Sequence, residues 1–227
     1  CIRIILMIAY YDRLFADPKG IEAYTNFVKE NLVEGSILEF ACGTGDVLVQ
    51  LSDSAIGLDI DQTMLDQALI KYPELQGRLI KGDFTTYTDV RKYDNLVCIG
   101  DSLNYLMDES ELNAFVNNSI KLSDHIILDA HHPYRLKEFA DDFYEEGSTE
   151  EFDYAYQISV EDEEYLIHLI NFLDGTFDSV TQWVFDPQIL IKGYEDLGYN
   201  VKVINDFDHE GILPEGEKLR FIIDKIV

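Results

Sequence analysis

The run Ile37-Leu38-Glu39-Phe40-Ala41-Cys42-Gly43-Thr44-Gly45-Asp46 gathers the residue types that hold a nucleotide-like ligand: an acid, an apolar strand and a Gly-x-Gly turn. Glycine at 43 and 45 removes two β-carbons, so the backbone can approach a ligand closely where the next helix presents its N-terminus. Two further strand ends carry complementary chemistry. Asp59, followed by Ile60, closes the run Ala55-Ile56-Gly57-Leu58, and its carboxylate can accept hydrogen bonds from two ribose hydroxyls. Asp83 and Phe84 close Leu79-Ile80-Lys81-Gly82, an acid and an aromatic suited to an adenine amino group and ring face. Three strand ends then address one adenosine.

A ribose acid serves NAD and S-adenosylmethionine alike, but a dinucleotide fingerprint needs a third glycine where this chain has Leu48. The order of acid, Gly-x-Gly and two further strand-end acids resembles the class I S-adenosylmethionine-dependent methyltransferases. The resemblance implies that Glu39, Ala41, Gly43 and Gly45 border the methionine part of the cofactor. It also places Asp59 and Ile60 at the ribose, and Asp83 with Phe84 at adenine. Met64, on the helix after Asp59, either touches adenine or packs in the core. Cys98-Ile99-Gly100-Asp101-Ser102-Leu103-Asn104-Tyr105-Leu106 and Leu128-Asp129-Ala130-His131-His132-Pro133-Tyr134 are similar to loops of a bacterial subgroup with small-molecule acceptors. That subgroup also opens with a Tyr-Asp pair, matched by Tyr11-Asp12, and carries a late antiparallel insertion. Tyr11 is therefore the expected lid residue, while Tyr10, Tyr154, Tyr156 and Trp183 serve either a lid or packing.

A sulfonium already carries an activated methyl group, so such an enzyme must mainly align an acceptor and exclude water. An amine acceptor can lose its proton to water, whereas a hydroxyl requires a positioned base. Candidates at the fourth and fifth strand ends are Asp101, Asn104, Tyr105, His131 and His132. His131 is the first choice, with Asp101 and Tyr105 beside it, because it follows Asp129 by two and shares its side of an extended segment. Five histidines include no His-Glu-x-x-His, and no Cys-x-x-Cys occurs, so no metal is expected. The loop Gly100-Asp101-Ser102-Leu103 also lacks the Pro-Pro-aromatic pattern of adenine methylation in DNA. Two rivals stay open: a cofactor-binding regulatory or scaffold protein without catalysis, and an NAD-dependent oxidoreductase.

The elements that must position these residues alternate. Helices are expected at 21–32, 46–51, 63–72 and 109–122, and strands at 36–41, 55–59, 78–81, 95–99 and 125–129. Short apolar strands between helices predict a Rossmann-like α/β fold, a doubly wound and mostly parallel sheet of seven strands covered on both faces. Ligands bind outside the carboxyl ends of such strands, where every motif quoted above falls. Between 150 and 185 the rhythm turns to β-type runs at 152–160, 164–173 and 176–185, which predicts an antiparallel three-stranded insertion. A helix at 187–197 and strands at 200–205 and 219–226 complete one domain over 1–227.

Forty-four acids against 17 bases give a formal charge of -27, which repels a phosphate backbone and argues against a nucleic-acid partner. The apolar opening, residues 1–8, is shorter than the roughly 20 residues that span a bilayer, so no membrane partner is expected. Three cysteines, an odd number with two in apolar strands, point to a reducing, cytoplasmic compartment. The chain is expected to be a monomer or homodimer acting on a small-molecule methyl acceptor.

Overall fold

A computed structural model describes residues 18–149, 152–172 and 175–226. Helix α1 (Pro18–Asn31) precedes five strands: β1 (Ile37–Phe40), β2 (Ile56–Asp59), β3 (Leu79–Lys81), β4 (Asn95–Cys98) and β5 (His125–His131). Between them run α2 (Leu48–Leu51), α3 (Gln62–Lys71) and α4 (Glu109–Leu122). Helix α5 (Tyr134–Glu138) leads into β6 (Phe143–Ser148), β7 (Asp153–Glu161), β8 (Tyr165–Phe172) and β9 (Phe177–Trp183). The chain continues through α6 (Pro187–Glu195), β10 (Tyr199–Asn205), β11 (His209–Glu210) and β12 (Lys218–Lys225).

The main sheet has the order β11-β10-β12-β5-β4-β1-β2-β3. Strands β1 to β5 are parallel, and β12 enters antiparallel against β5. The order reverses between β1 and β4, so their carboxyl ends flank the switch-point crevice where α/β sheets take ligands. Both faces of the sheet are covered. Phe40, Leu96, Phe115, Leu128 and Tyr194 pack on the α4 and α6 side, and Phe27, Val28, Leu48, Val97 and Ile127 on the α1 to α3 side. Strand β5 is buried along its whole length, as a strand covered on both faces must be. Asp61 and Asp108 cap α3 and α4 by accepting backbone N–H groups from Thr63 and Glu111, which fixes where each helix leaves its loop.

Two counts differ from expectation. The sheet has eight strands because residues 209–210 add a two-residue edge to β10. The late sheet has four strands, in the order β6-β7-β8-β9, because 143–148 pairs with β7. Five of the six β6 residues are exposed, so that edge strand carries no apolar alternation to betray it. Helix α2 is also shorter than expected, since residues 43–46 are spent in the glycine turn.

Candidate functional site

Glu39 lies in β1 at 3% exposure, and its Oε2 is buried without a hydrogen bond. Burial, reinforced by Asp59 and Asp46, pushes its pKa up to about 8, so an apo protein holds it largely protonated at neutral pH. Beyond β1 the chain turns through three left-handed residues, Ala41 (φ 52°), Gly43 (φ 53°) and Gly45 (φ 83°). A β-carbon on Gly43 would meet nothing within 4 Å, so this position faces open space. Gly45 differs, because its β-carbon would stand 2.6 Å from Leu75. Gly43 therefore borders open space, while Gly45 lets the turn pack on the layer formed by α3 and the 3-10 turn after it.

Asp59, at the end of β2, accepts the Gly43 N–H at 2.8 Å and the Asp61 N–H at 2.9 Å. Burial raises its pKa against the pull of those two amides. Each carboxylate oxygen keeps a further lone pair. Ile60 beside it is 66% exposed, and Met64 is half-buried. At the end of β3, Asp83 accepts both the N–H and the hydroxyl of Thr85, and the Phe84 ring meets Phe115 edge-on at 5.2 Å. Phe84 is thus a half-buried wall of the core. Tyr10 and Tyr11 lie outside the described residues.

The β4 and β5 ends build a second cluster. Asp101, left-handed at φ 63°, donates its N–H to Asp129 Oδ1 at 3.0 Å and pairs its Oδ2 with the Lys218 ammonium. Its Oδ1 stands 3.5 Å from His131 Nδ1. Burial favours the neutral Asp101 acid, but Lys218 and His131 outweigh it and hold the carboxyl below its usual range. Asp129, fully buried, is pushed up to about 6 by burial despite Lys218. Lys218 is raised in turn, because Asp101 and Asp129 overcome its own burial. Burial lowers His131, so its imidazole is neutral at pH 7. Asp101 Oδ1, Asp129 Oδ2 and His131 Nδ1 are all buried without a hydrogen bond. Such orphaned groups cost free energy and mark places where a ligand or water completes the bonding.

Lys218 and Arg220 escaped the sequence reading, although their i, i+2 spacing in an apolar strand was the available signal. The register explains them: Lys218 faces His131 and Arg220 faces Asp129 across β12 and β5. Arg220 is 1% exposed, with its guanidinium 3.4 Å from the Phe207 ring centre and 5.2 Å from that of Tyr24. Asn104 donates to the Trp183 carbonyl at 2.7 Å and accepts the His131 N–H at 2.9 Å, tying the late sheet to β5. Tyr105 is 49% exposed on the adjoining 3-10 turn. His132 spends both nitrogens on backbone, accepting from Tyr134 N–H and donating to the Leu213 carbonyl. Trp183 packs 5.3 Å from Phe185 inside the main core. Among the described residues, no group of three or more His, Cys, Asp or Glu side chains converges as a metal site requires.

Residues 37–122 match the family model of a methyltransferase domain. A candidate methyltransferase of Bacillus subtilis (strain 168), YqeM, is 28% identical over 233 residues, covering 95% of this chain and 94% of its own. Over residues 37–122 the chain is similar to the methyltransferase-domain family. The crystal structure of an S-adenosylmethionine-dependent methyltransferase from Clostridium acetobutylicum ATCC 824 superposes with a TM-score of 0.82. It is 21% identical and covers 96% of both chains. CalS10, an amino pentose methyltransferase from Micromonospora echinaspora seen with S-adenosylmethionine bound, gives a TM-score of 0.68 at 16% identity over 96% of both chains. The matched segment runs from β1 to α4 and so contains the strand ends that carry Glu39, Asp59 and Asp83. Asp129, His131 and Lys218 lie beyond it. No helix among the described residues is long and apolar enough to cross a membrane.

Proposed function

We propose that the chain transfers a methyl group from S-adenosylmethionine to nitrogen or oxygen of a small-molecule acceptor held where β4, β5 and the late sheet meet. The observation that carries this reading is the pair of buried, unpartnered atoms Asp101 Oδ1 and His131 Nδ1, 3.5 Å apart beside the glycine-turn crevice. The cofactor site fits its ligand on three counts: the open space before Gly43, the orphaned Glu39 oxygen and the spare lone pairs of Asp59. Glu39, Ala41, Gly43 and Gly45 would border the methionine portion, Asp59 and Ile60 the ribose, and Asp83, Phe84 and Met64 the adenine. Tyr11 would cover the crevice.

When bound, S-adenosylmethionine supplies a methyl group already activated on sulfur. The chain's own residues hold the acceptor and manage its proton. The neutral His131 ring can take that proton at Nδ1, and the adjacent Asp101 carboxylate stabilises the resulting imidazolium. Lys218 keeps Asp101 ionised and in place. Tyr105, on the turn between them, would bound the acceptor's entrance. An acceptor bearing an amine fits an acid-lined crevice in a chain of charge -27, and an amino-sugar methyltransferase shares the fold. We assign the chain to a reducing, cytoplasmic compartment on its buried free Cys42 and Cys98, and to no nucleic-acid partner on its charge. The domain reading treats 1–227 as one unit with the late sheet as a substrate lid or dimer contact.

The test is calorimetric titration of the purified protein with S-adenosylmethionine, S-adenosylhomocysteine and NAD in parallel, followed by an acceptor screen over amines and hydroxyls. Micromolar binding of both sulfur ligands and methylated product from the screen is the expected result. Binding of NAD alone, or of nothing, overturns the reading, and tight cofactor binding with no product across the screen points to the regulatory rival.

A further inference from the structure

A polar path crosses from the late sheet into the site. His131 Nε2 lies 2.8 Å from Gln182 Oε1 on β9. Gln182 is 6% exposed, an expensive place for an amide without a structural reason. Behind it on β8 stands His168, whose Nε2 is buried without a hydrogen-bond partner and whose Nδ1 meets the Tyr156 hydroxyl of β7 at 2.6 Å. Tyr156 and His168 also stack, with ring centres 6.0 Å apart. Tyr156, His168 and Gln182 share one face by strand alternation and register, the face that packs on the body through Ile158 and Leu166.

A neutral imidazole has one proton for two nitrogens, and its neighbours decide which keeps it. Two acceptors compete for that proton here. Asp101 stands 3.5 Å from Nδ1, beyond hydrogen-bond distance, with its charge already compensated by Lys218. Gln182 Oε1 is at 2.8 Å from Nε2 and can only accept. Arg135 on α5 and Lys218 on β12 add positive charge around the ring, and His168 faces it from β8. We propose that Gln182 is a positioning residue for His131, fixing the Nε2–H tautomer and so leaving a bare Nδ1 turned to Asp101 and the acceptor. The late sheet then sets the protonation geometry of the site. This role rests on the methyltransferase reading only for its use, not for its existence. Burial lowers His131 and presses His168 down to about 4, so both rings are neutral at pH 7 and the path holds no standing charge.

Imidazole nitrogen shifts read the tautomer directly, without an acceptor. Long-range proton–nitrogen correlation spectra of uniformly 15N-labelled protein contain at most five histidine patterns, and loss of one in His131→Gln assigns it. At pH 7.5 the wild-type protein is expected to show His131 as a single Nε2–H tautomer. In Gln182→Leu the ring should switch predominantly to Nδ1–H, donating to Asp101. Gln182→Glu, which keeps an acceptor, should restore Nε2–H and raise the pH at which His131 protonates. An Nδ1–H tautomer in the wild type, or the same tautomer in wild type and Gln182→Leu, overturns the proposal. Should Gln182→Leu fail to fold, the wild-type spectrum and Gln182→Glu still decide it. S-adenosylhomocysteine affinity, measured alongside, should be unchanged in both variants. Absence of that binding in the wild type would sink the methyltransferase reading while leaving the tautomer result standing.

Discussion

Two carboxylates beside the glycine turn are held in opposite ways. Asp59 is pinned by two backbone amides, so the direction of its remaining lone pairs is fixed. Asp59→Ala should weaken S-adenosylmethionine binding by roughly 1.5–3 kcal/mol, the worth of charge-assisted hydrogen bonds, read by calorimetry. Unchanged affinity removes the ribose assignment. Glu39 has no such support, and its pKa lies near 8 against an ordinary 4.5. Between those values the folded protein holds a proton that the unfolded chain releases. The stabilisation is complete below about pH 4.5 and is lost as pH climbs through 8, by at most about 1.4 kcal/mol per pH unit. Glu39→Gln stays neutral throughout. Melting curves from pH 5 to 8.5 should therefore show the variant gaining on the wild type as pH rises, and parallel curves would refute a protonated Glu39.

At the level of elements, the segment from β1 to α4 was readable because each strand is short, apolar and stopped by an acid or a glycine. Helix α4 fell where its aspartate cap and apolar spacing put it. The failures have physical causes. Strand β6, Phe-Tyr-Glu-Glu-Gly-Ser, buries none of its side chains, so pairing with β7 rather than any side-chain period makes it a strand. Lys218 was left out of β12 because a cation at a strand's start reads as surface, yet it is 9% exposed. Gln182 was legible only as part of an alternating run, since its partner is 51 positions away. Asn104 is the joint between the late sheet and β5, and Asn104→Ala would leave the His131 N–H and the Trp183 carbonyl unpaired. The expected loss is about 1–3 kcal/mol for each buried group left unsatisfied, measured by urea unfolding. A loss within 0.5 kcal/mol would mean that water replaces the joint, by analogy with ordinary surface substitutions of about that size.

Over the whole molecule, a charge of -27 spreads self-repulsion across 227 residues. The compact state brings these charges together, so screening should favour it. Raising sodium chloride from 10 to 300 mM shortens the Debye length from about 30 Å to under 10 Å. The melting temperature should rise over that range, and a flat or falling curve would show that favourable pairs such as Lys92 with Asp124 outweigh the net repulsion. The buried Lys218–Asp101 pair should respond little, being shielded from mobile ions.

The placement of Lys218 and Arg220 also bears on the order in which the chain is made. A ribosome delivers β1, β4 and β5, and with them Glu39, Asp101 and Asp129, long before β12 emerges. Until then Asp101 and Asp129, both destined for burial, have neither the ammonium nor the guanidinium that the finished sheet sets against them. Strand β5 would be an open edge, and closing the sheet around uncompensated acids is costly. The nascent polypeptide is therefore expected to stay open through the whole synthesis of the late sheet and to close only when β12 slots in. Docking of the last strand, rather than formation of the glycine turn, would then be the step that chaperones wait for.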